Sequence, residues 1–365
     1  MISGFLMGSI LFDEVKTSGD IGLARFYVRR FLRLIPVYTA AMALGLFAMQ
    51  ASPAHLDWRI AETAWANLLY INNFLPITRQ YMGWCWSLAI EEQFYLLLPG
   101  CILLFIWLGK GRLRILVGLM ALSVALRYTV IHFSGIVPPL RFAAYTPAWS
   151  AWYDVVYDKP WMRFGGLLAG VTGAYLRCNY QPQLQRFFSH TGRVTVLSLG
   201  CIAVIVHVAL TGRGAEFFDR IPFLARELWW AAFHDLFSLA TMFLILAAMY
   251  TPRLLGGWLR SFLSWKGFYP VAQLSYSSYL VHPMLFMWLF PRLAVRLVPR
   301  LGAYGAIAMD SVVGLVVTFA VSAALYVTIE RPCMRMRSHP AILKLIKILS
   351  RSSLNRSDAA GELRG

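Results

Sequence analysis

Arg25, Arg29, Arg30 and Arg33 stand close together in the run Arg25-Phe-Tyr-Val-Arg29-Arg30-Phe-Leu-Arg33-Leu-Ile-Pro36-Val-Tyr38. Arg29 and Arg33 are four apart, and Arg30 and Arg33 three apart, so on a helix all three share much of one face. Guanidinium forks on one face suit a phosphate or a carboxylate ligand. The competing reading is an interfacial anchor whose long side chains reach for lipid headgroups. A second cluster, Trp86-Ser-Leu-Ala-Ile-Glu91-Glu92-Gln93-Phe-Tyr95, sets two carboxylates side by side. Neighbours on a helix diverge by about 100°. Only one of the two carboxylates can therefore face a given site. Glu91 and Tyr95 are four apart and share a face that a reacting hydroxyl could approach.

Three further segments carry ionisable groups. In Lys159-Pro-Trp-Met-Arg163, Arg163 heads a Gly-rich stretch and reads equally as an anchor or as a ligand for an anion. Gly166, Gly170 and Gly173 are spaced to let another helix approach closely. In Ser275-Tyr-Ser-Ser278-Tyr279-Leu-Val-His282, Tyr279 and His282 lie on one helical face, with Ser275 and Ser278 along the same side. His282 is a candidate acid or base, against the plainer role of a helix-bonding residue in the membrane. Glu330-Arg331-Pro332 closes the last apolar run and reads as an ion pair with headgroups or a neighbouring helix. His234 and Asp235 are adjacent, which makes direct pairing doubtful, and His207 and Asp310 stand alone in apolar surroundings. The five cysteines, Cys85, Cys101, Cys178, Cys201 and Cys333, have no metal-ligand spacing and no disulfide pattern. The sequence also lacks a Gly-rich phosphate loop and a Gly-x-Ser-x-Gly elbow.

The elements that must position these groups follow from composition. Apolar residues make up 59% of the 365 residues and charged residues 14%, with a mean hydropathy of +0.59. Soluble domains carry about 25% charged residues. Apolar runs occupy Phe31–Gln50, Trp84–Leu108, Ile115–Phe133, Val194–Leu210, Ala231–Tyr250, Val271–Phe290 and Tyr304–Val327. Runs near 20 residues span a bilayer as helices. With Trp161–Leu176 and the opening segment, the expectation is an all-α, polytopic transmembrane bundle of about nine spans. The opening apolar stretch, Met1–Phe12, is too short to cross unless it is re-entrant or begins inside a helix.

The net charge of +17 fits a membrane protein better than a nucleic-acid binder, because cytoplasmic loops collect Lys and Arg. With Glu14–Arg30 inside, the inside segments are Gly109–Arg114, Cys178–Arg193, Thr251–Pro270 and Ile329–Gly365. They hold about 20 Lys and Arg against about 10 in the outside loops. This expectation places the C-terminus in the cytoplasm. Residues 1–335 read as the transmembrane domain and 336–365 as a basic tail. Within the tail, Ile342–Leu349 is an amphipathic helix on the inner leaflet and Arg351–Gly365 is disordered.

Taken in order, these segments resemble the acyltransferase 3 family of multi-pass membrane enzymes. The resemblance runs from Ser3-Gly4-Phe5-Leu6 to Glu330-Arg331-Pro332 and rests on Phe26–Tyr38, Trp86–Tyr95, Ser275–His282 and Ile329–Pro332. Asn67–Phe74, Tyr157-Asp-Lys-Pro160 before Arg163, and Phe262–Lys266 further resemble the branch typified by the nose-resistant-to-fluoxetine proteins. Glu91-Glu92-Gln93 takes the bacterial carbohydrate-acyltransferase form, which points to a bacterial member near that branch, in the inner membrane.

The resemblance implies transfer of an acyl group, most often acetyl, from cytoplasmic acyl-CoA to a hydroxyl of a carbohydrate, glycolipid or related acceptor. No bound cofactor and no metal are implied; acyl-CoA is the donor substrate. Arg30 and Arg33 match the family's Arg-x-x-Arg motif and are expected at the donor's phosphates, with Arg163 as a further anion ligand. Glu91, Tyr279 and His282 are the expected catalytic residues. The resemblance also implies a preceding helix with an Arg and a catalytic His, since Ser3–Leu6 matches the family's second helix. Without it, little turnover is expected from these residues alone. A transporter or flippase of a glycan or acylated substrate is the alternative, and it would call for two similar halves with broken helices. The sequence shows no such repeat. A receptor or structural role gives no reason for Arg30, Arg33 and Glu91 to sit at membrane boundaries.

Overall fold

The computed structural model describes residues 1–50, 58–136, 146–211, 222–251 and 253–350, and among these there is no strand. Eight long helices carry the architecture: α1 (Ile2–Ser18), α2 (Leu23–Gln50), α3 (Trp86–Trp107), α4 (Arg112–Ser134), α5 (Pro160–Asn179), α6 (Thr191–Thr211), α7 (Phe223–Tyr250) and α8 (Phe268–Leu325). Each follows an apolar run, because a buried or lipid-facing backbone must satisfy its own hydrogen bonds. Many large apolar side chains face outward, among them Phe47, Leu96, Trp107 and Val196. A surface of this kind suits hydrocarbon and would be costly in water.

Among the described residues, six stretches are long and apolar enough to cross a membrane: Leu23–Phe47, Gly83–Trp107, Arg112–Ser134, Thr191–Leu210, Leu224–Tyr250 and Phe268–Ser338. The last covers two of the expected spans. They are two helical arms joined at Gly302, whose φ of 68° and ψ of 173° break the helix. A residue with a side chain is disfavoured there, so glycine sets the junction. α1 and α5 are helical where expected. With 17 residues, α1 is short for a span, and α5 carries Arg163 and Arg177 among its glycines.

The chain divides into two compact units, Met1–Ile21 with Glu62–Trp265, and Gly22–Ala61 with Lys266–Gly365. In the first, α1 lies along α5, α5 packs on α4 and α7, and α7 packs on α6. The three glycines of α5 serve two partners rather than the single one their spacing suggests. A Cβ on Gly170 would overlap the backbone of Met1, Gly4 and Phe5 in α1, while Gly166 and Gly173 lie against Ser238 and Met242 of α7. In the second unit, α2 packs on α8, on the π-helical turn Tyr326–Glu330 and on Arg331–Arg335. The tail helix expected over Ile342–Leu349 is present at 340–350, with Ile346 buried. The stretch expected to be disordered, Arg351–Gly365, lies outside the described residues. The five cysteines all fall among the described residues, and no disulfide joins them.

Candidate active site

In the first unit, a shelf of short helical turns between Ala64 and Cys85 fixes the entry to α3 and α5. Asn73 is its hub. Its Nδ2 donates to the Asp158 carbonyl at 3.3 Å, and its Oδ1 accepts from Gln93 Nε2 at 3.0 Å. Its carbonyl accepts from Lys159 Nζ at 2.5 Å. Gln80 Nε2 donates to Asp158 Oδ2 at 2.8 Å, and Lys159 Nζ lies 2.9 Å from Asp158 Oδ1. Asp158 has no exposed surface. Burial pushes its carboxyl up to about 6, against the opposing pull of Lys159 and Gln80. The segments read from the sequence as branch motifs, Asn67–Phe74 and Tyr157–Pro160, therefore meet as a buried scaffold. Gln93 of Glu91-Glu92-Gln93 joins it.

Two of the expected site residues belong to this unit. Tyr95 donates from its hydroxyl to Glu91 Oε2 at 3.1 Å, the four-residue pairing that the sequence predicts. Arg163, on the first turn of α5, is not turned out as an anchor. Its Nε donates to the Tyr157 carbonyl at 2.6 Å, and its guanidinium carbon lies 4.3 Å from the Tyr157 ring centre and 4.9 Å from that of Trp86. Its Nη1 lies 2.9 Å from His234 Nε2. A guanidinium only donates, so the imidazole nitrogen facing it accepts and His234 is neutral.

The adjacent His234 and Asp235 diverge, as the helix requires, and each takes its own arginine. Asp235 Oδ2 accepts from Arg127 Nη2 at 2.6 Å, and the same nitrogen donates to Ser123 Oγ at 2.6 Å. Gly165 brings the α5 backbone hard against Asp235 and Ser123, leaving no room for a Cβ. Arg127 is 1% exposed, midway along an apolar helix. Sequence reading passed over it. The signal was present, since an ionisable residue inside a span is a candidate by default. Arg127 thus takes the Asp235 carboxylate, and Arg163 faces the His234 imidazole. Arg127 Nε and Nη1 and Arg163 Nη2 are buried with no hydrogen-bond partner among the described residues.

The second unit holds the remaining expected residues. His282 Nδ1 lies 3.0 Å from the Tyr279 carbonyl and 3.1 Å from that of Ser278. Carbonyls only accept, so Nδ1 carries a proton and Nε2 is the nitrogen not committed to the helix carbonyls. The Tyr279 and His282 ring centres are 6.1 Å apart. The two serines do not join them: Ser278 donates to Ser322 Oγ at 2.9 Å and Ser275 to the Ala272 carbonyl at 2.8 Å. Along α2, Arg29 and Arg33 are exposed, while Arg30 is half-buried with its guanidinium 6.0 Å from the Phe26 ring centre. Arg33 faces a group the sequence did not suggest. Glu330, 3% exposed, accepts from Ser277 Oγ at 2.8 Å and feels the charges of Arg33 and Arg337. Glu330 thus turns onto neighbouring helices, one of its two expected roles. Arg337 also feels the charges of Arg29 and Arg33. Among the described residues, no three His, Cys, Asp or Glu gather as a metal site.

The sequence matches the acyltransferase domain model of the acyltransferase 3 family over residues 1–327. It is 27% identical over 278 residues to Nose resistant to fluoxetine protein 6 of Caenorhabditis elegans, covering 71% of this chain and 33% of that protein. It is 31% identical over 153 residues to peptidoglycan O-acetyltransferase OatA of Listeria monocytogenes, covering 38% of this chain and 24% of the relative. O-acetyltransferase OatA of Staphylococcus aureus is 32% identical over 147 residues, 36% of this chain and 24% of its own length. The chain thus spans about a quarter to a third of the curated relatives it matches. No solved structure matches it.

Proposed function

The chain belongs to the acyltransferase 3 family, and from that premise we propose that it moves an acetyl group from cytoplasmic acetyl-CoA to a carbohydrate hydroxyl across a bacterial inner membrane. The observation that carries this reading is the basic head of α2. Arg25, Arg29, Arg30 and Arg33 crowd the mouth of a membrane span, in the same unit as a histidine whose Nε2 is not committed to the helix carbonyls. Guanidinium forks suit the donor's phosphates, which the thioester itself does not need for reaction. The donor is thereby recognised by its nucleotide end while its acyl end stays free to react.

Transfer requires that the acceptor hydroxyl lose a proton as its oxygen attacks the thioester carbonyl, after which the C–S bond breaks and coenzyme A leaves as a thiolate that takes up the proton. His282 Nε2 is the group we assign to that step, because its Nδ1–H is committed to helix carbonyls. Tyr279 lines the same helical face. The OatA relatives act by name on peptidoglycan or as O-acetyltransferases, which supports a glycan acceptor here.

The test is mass analysis of surface glycans from cells carrying the gene, lacking it, or carrying single variants. Wild-type cells are expected to show acetylated glycan that deletion removes. His282→Gln and Arg33→Gln, expressed to the wild-type level, should each cut it by about tenfold or more. Glycans unchanged by deletion would overturn the acceptor class. Unchanged acetylation in His282→Gln would remove that residue from the chemistry.

A further inference from the structure

We infer that Arg337, beyond the segment that matches the family model, forms a phosphate-binding site with Arg29 and Arg33. The case is one of charge and satisfaction. The short turn Met336–Ser338 packs against α2, and Arg337 lies within reach of the charges of Arg29 and Arg33. Three guanidinium charges then act on one another with a single carboxylate, Glu330, among them. That carboxylate is already shared with Ser277. Like charges held together repel, and an anion between them relieves the repulsion.

The hydrogen-bond accounting points the same way. Arg337 Nε and Nη2 are both buried and have no hydrogen-bond partner among the described residues. These two nitrogens belong to one planar fork, and leaving both unpaired costs far more than pairing them with an oxyanion. A phosphate monoester or diphosphate offers several acceptor oxygens with a double negative charge, enough to bridge Arg337 to Arg29 and Arg33. Glu330 limits the preference to a ligand carrying more than one negative charge, since it already neutralises part of the cluster. Two sources share this chemistry, the nucleotide phosphates of the acyl donor and the headgroup of an anionic phospholipid. The inference rests on the reading of the α2 arginines as phosphate ligands, so its test is binding rather than turnover.

The full-length protein in nanodiscs is titrated with coenzyme A and, separately, with phosphate-free pantetheine. Arg337→Gln is expected to weaken coenzyme A binding by about tenfold and to leave pantetheine binding unchanged. Arg337→Lys should recover part of the loss, which a merely packing role would not do. In a second arm, native mass spectrometry counts phosphatidylglycerol retained by the wild type and by Arg337→Gln. Loss of retained lipid with coenzyme A binding intact identifies the headgroup as the occupant. If Arg337→Gln binds both as the wild type does, the site does not exist. If Arg337→Gln loses binding of coenzyme A and pantetheine alike, the residue is structural and the inference fails. Absence of glycan acetylation in cells, with these binding differences intact, would instead fault the transferase reading alone.

Discussion

Asp158 shows how a side chain with no part in the chemistry can still report on the site. Its carboxyl, sealed among Asn73, Gln80 and Lys159, titrates near 6 rather than at the 3.8 of an unfolded chain. The folded state therefore takes up the proton before the unfolded state does as pH falls. The group's contribution is least favourable above about pH 6 and improves as pH drops through 6 towards 4. Asp158→Asn removes that dependence. The difference in Tm, variant minus wild type, is expected to be larger near pH 7.5 than near pH 5, reflecting at most about 3 kcal/mol. A difference that grows towards acid would show that the Lys159 ion pair outweighs burial. At this scale, the sequence displayed Glu91 with Tyr95 and the divergence of His234 from Asp235, because both follow from helical spacing. It hid Arg127 and Arg337. Their partners lie 108 residues away in one case, and on a separate helix of the second unit in the other. Pairings of that range are made by packing, which a one-dimensional reading cannot see.

At the scale of the helix, apolar run length located α2, α3, α4, α6, α7 and both arms of α8, since membrane solvent leaves the backbone little choice. Boundaries were less legible where glycine did the work. The α8 arms look like two spans in sequence and meet at Gly302 without a loop. The α5 glycines promised one close partner and have two. The tightest of these contacts, Gly170 on the α1 backbone, makes a prediction with an internal control. Gly170→Ala drives a methyl into main-chain atoms that cannot rotate away, and overpacking of this kind costs about 1–3 kcal/mol or more. A Cβ on Gly100 of α3 would meet nothing within 4 Å, so Gly100→Ala should be neutral or slightly stabilising. Thermal unfolding in detergent is expected to show a Tm several degrees lower for the first variant only. Equal Tm values would mean that α1 does not rest on α5 in solution.

For the whole molecule, the remaining question is which side of the bilayer each polar cluster meets. The loop charges supply the argument. About 20 of the basic residues fall in alternate loops assigned inside, twice the number assigned outside, and such a bias orients a multi-pass chain. On that assignment the α2 head and the segment holding Arg337 are expected on the cytoplasmic side, where a nucleotide donor is available, and the shelf before α3 on the outer side. Cysteines placed singly in a cysteine-free background test this directly. Thr78 on the shelf, Lys110 between α3 and α4, and Lys344 in the tail helix are all exposed. Thr78→Cys is expected to react with a membrane-impermeant maleimide on intact cells whose outer envelope has been made permeable. Lys110→Cys and Lys344→Cys should react only once the inner membrane is opened. The reverse pattern would invert the orientation and separate the α2 arginines from any cytoplasmic donor. Labelling of Lys110→Cys and Thr78→Cys from the same side would mean that α3 does not cross the bilayer.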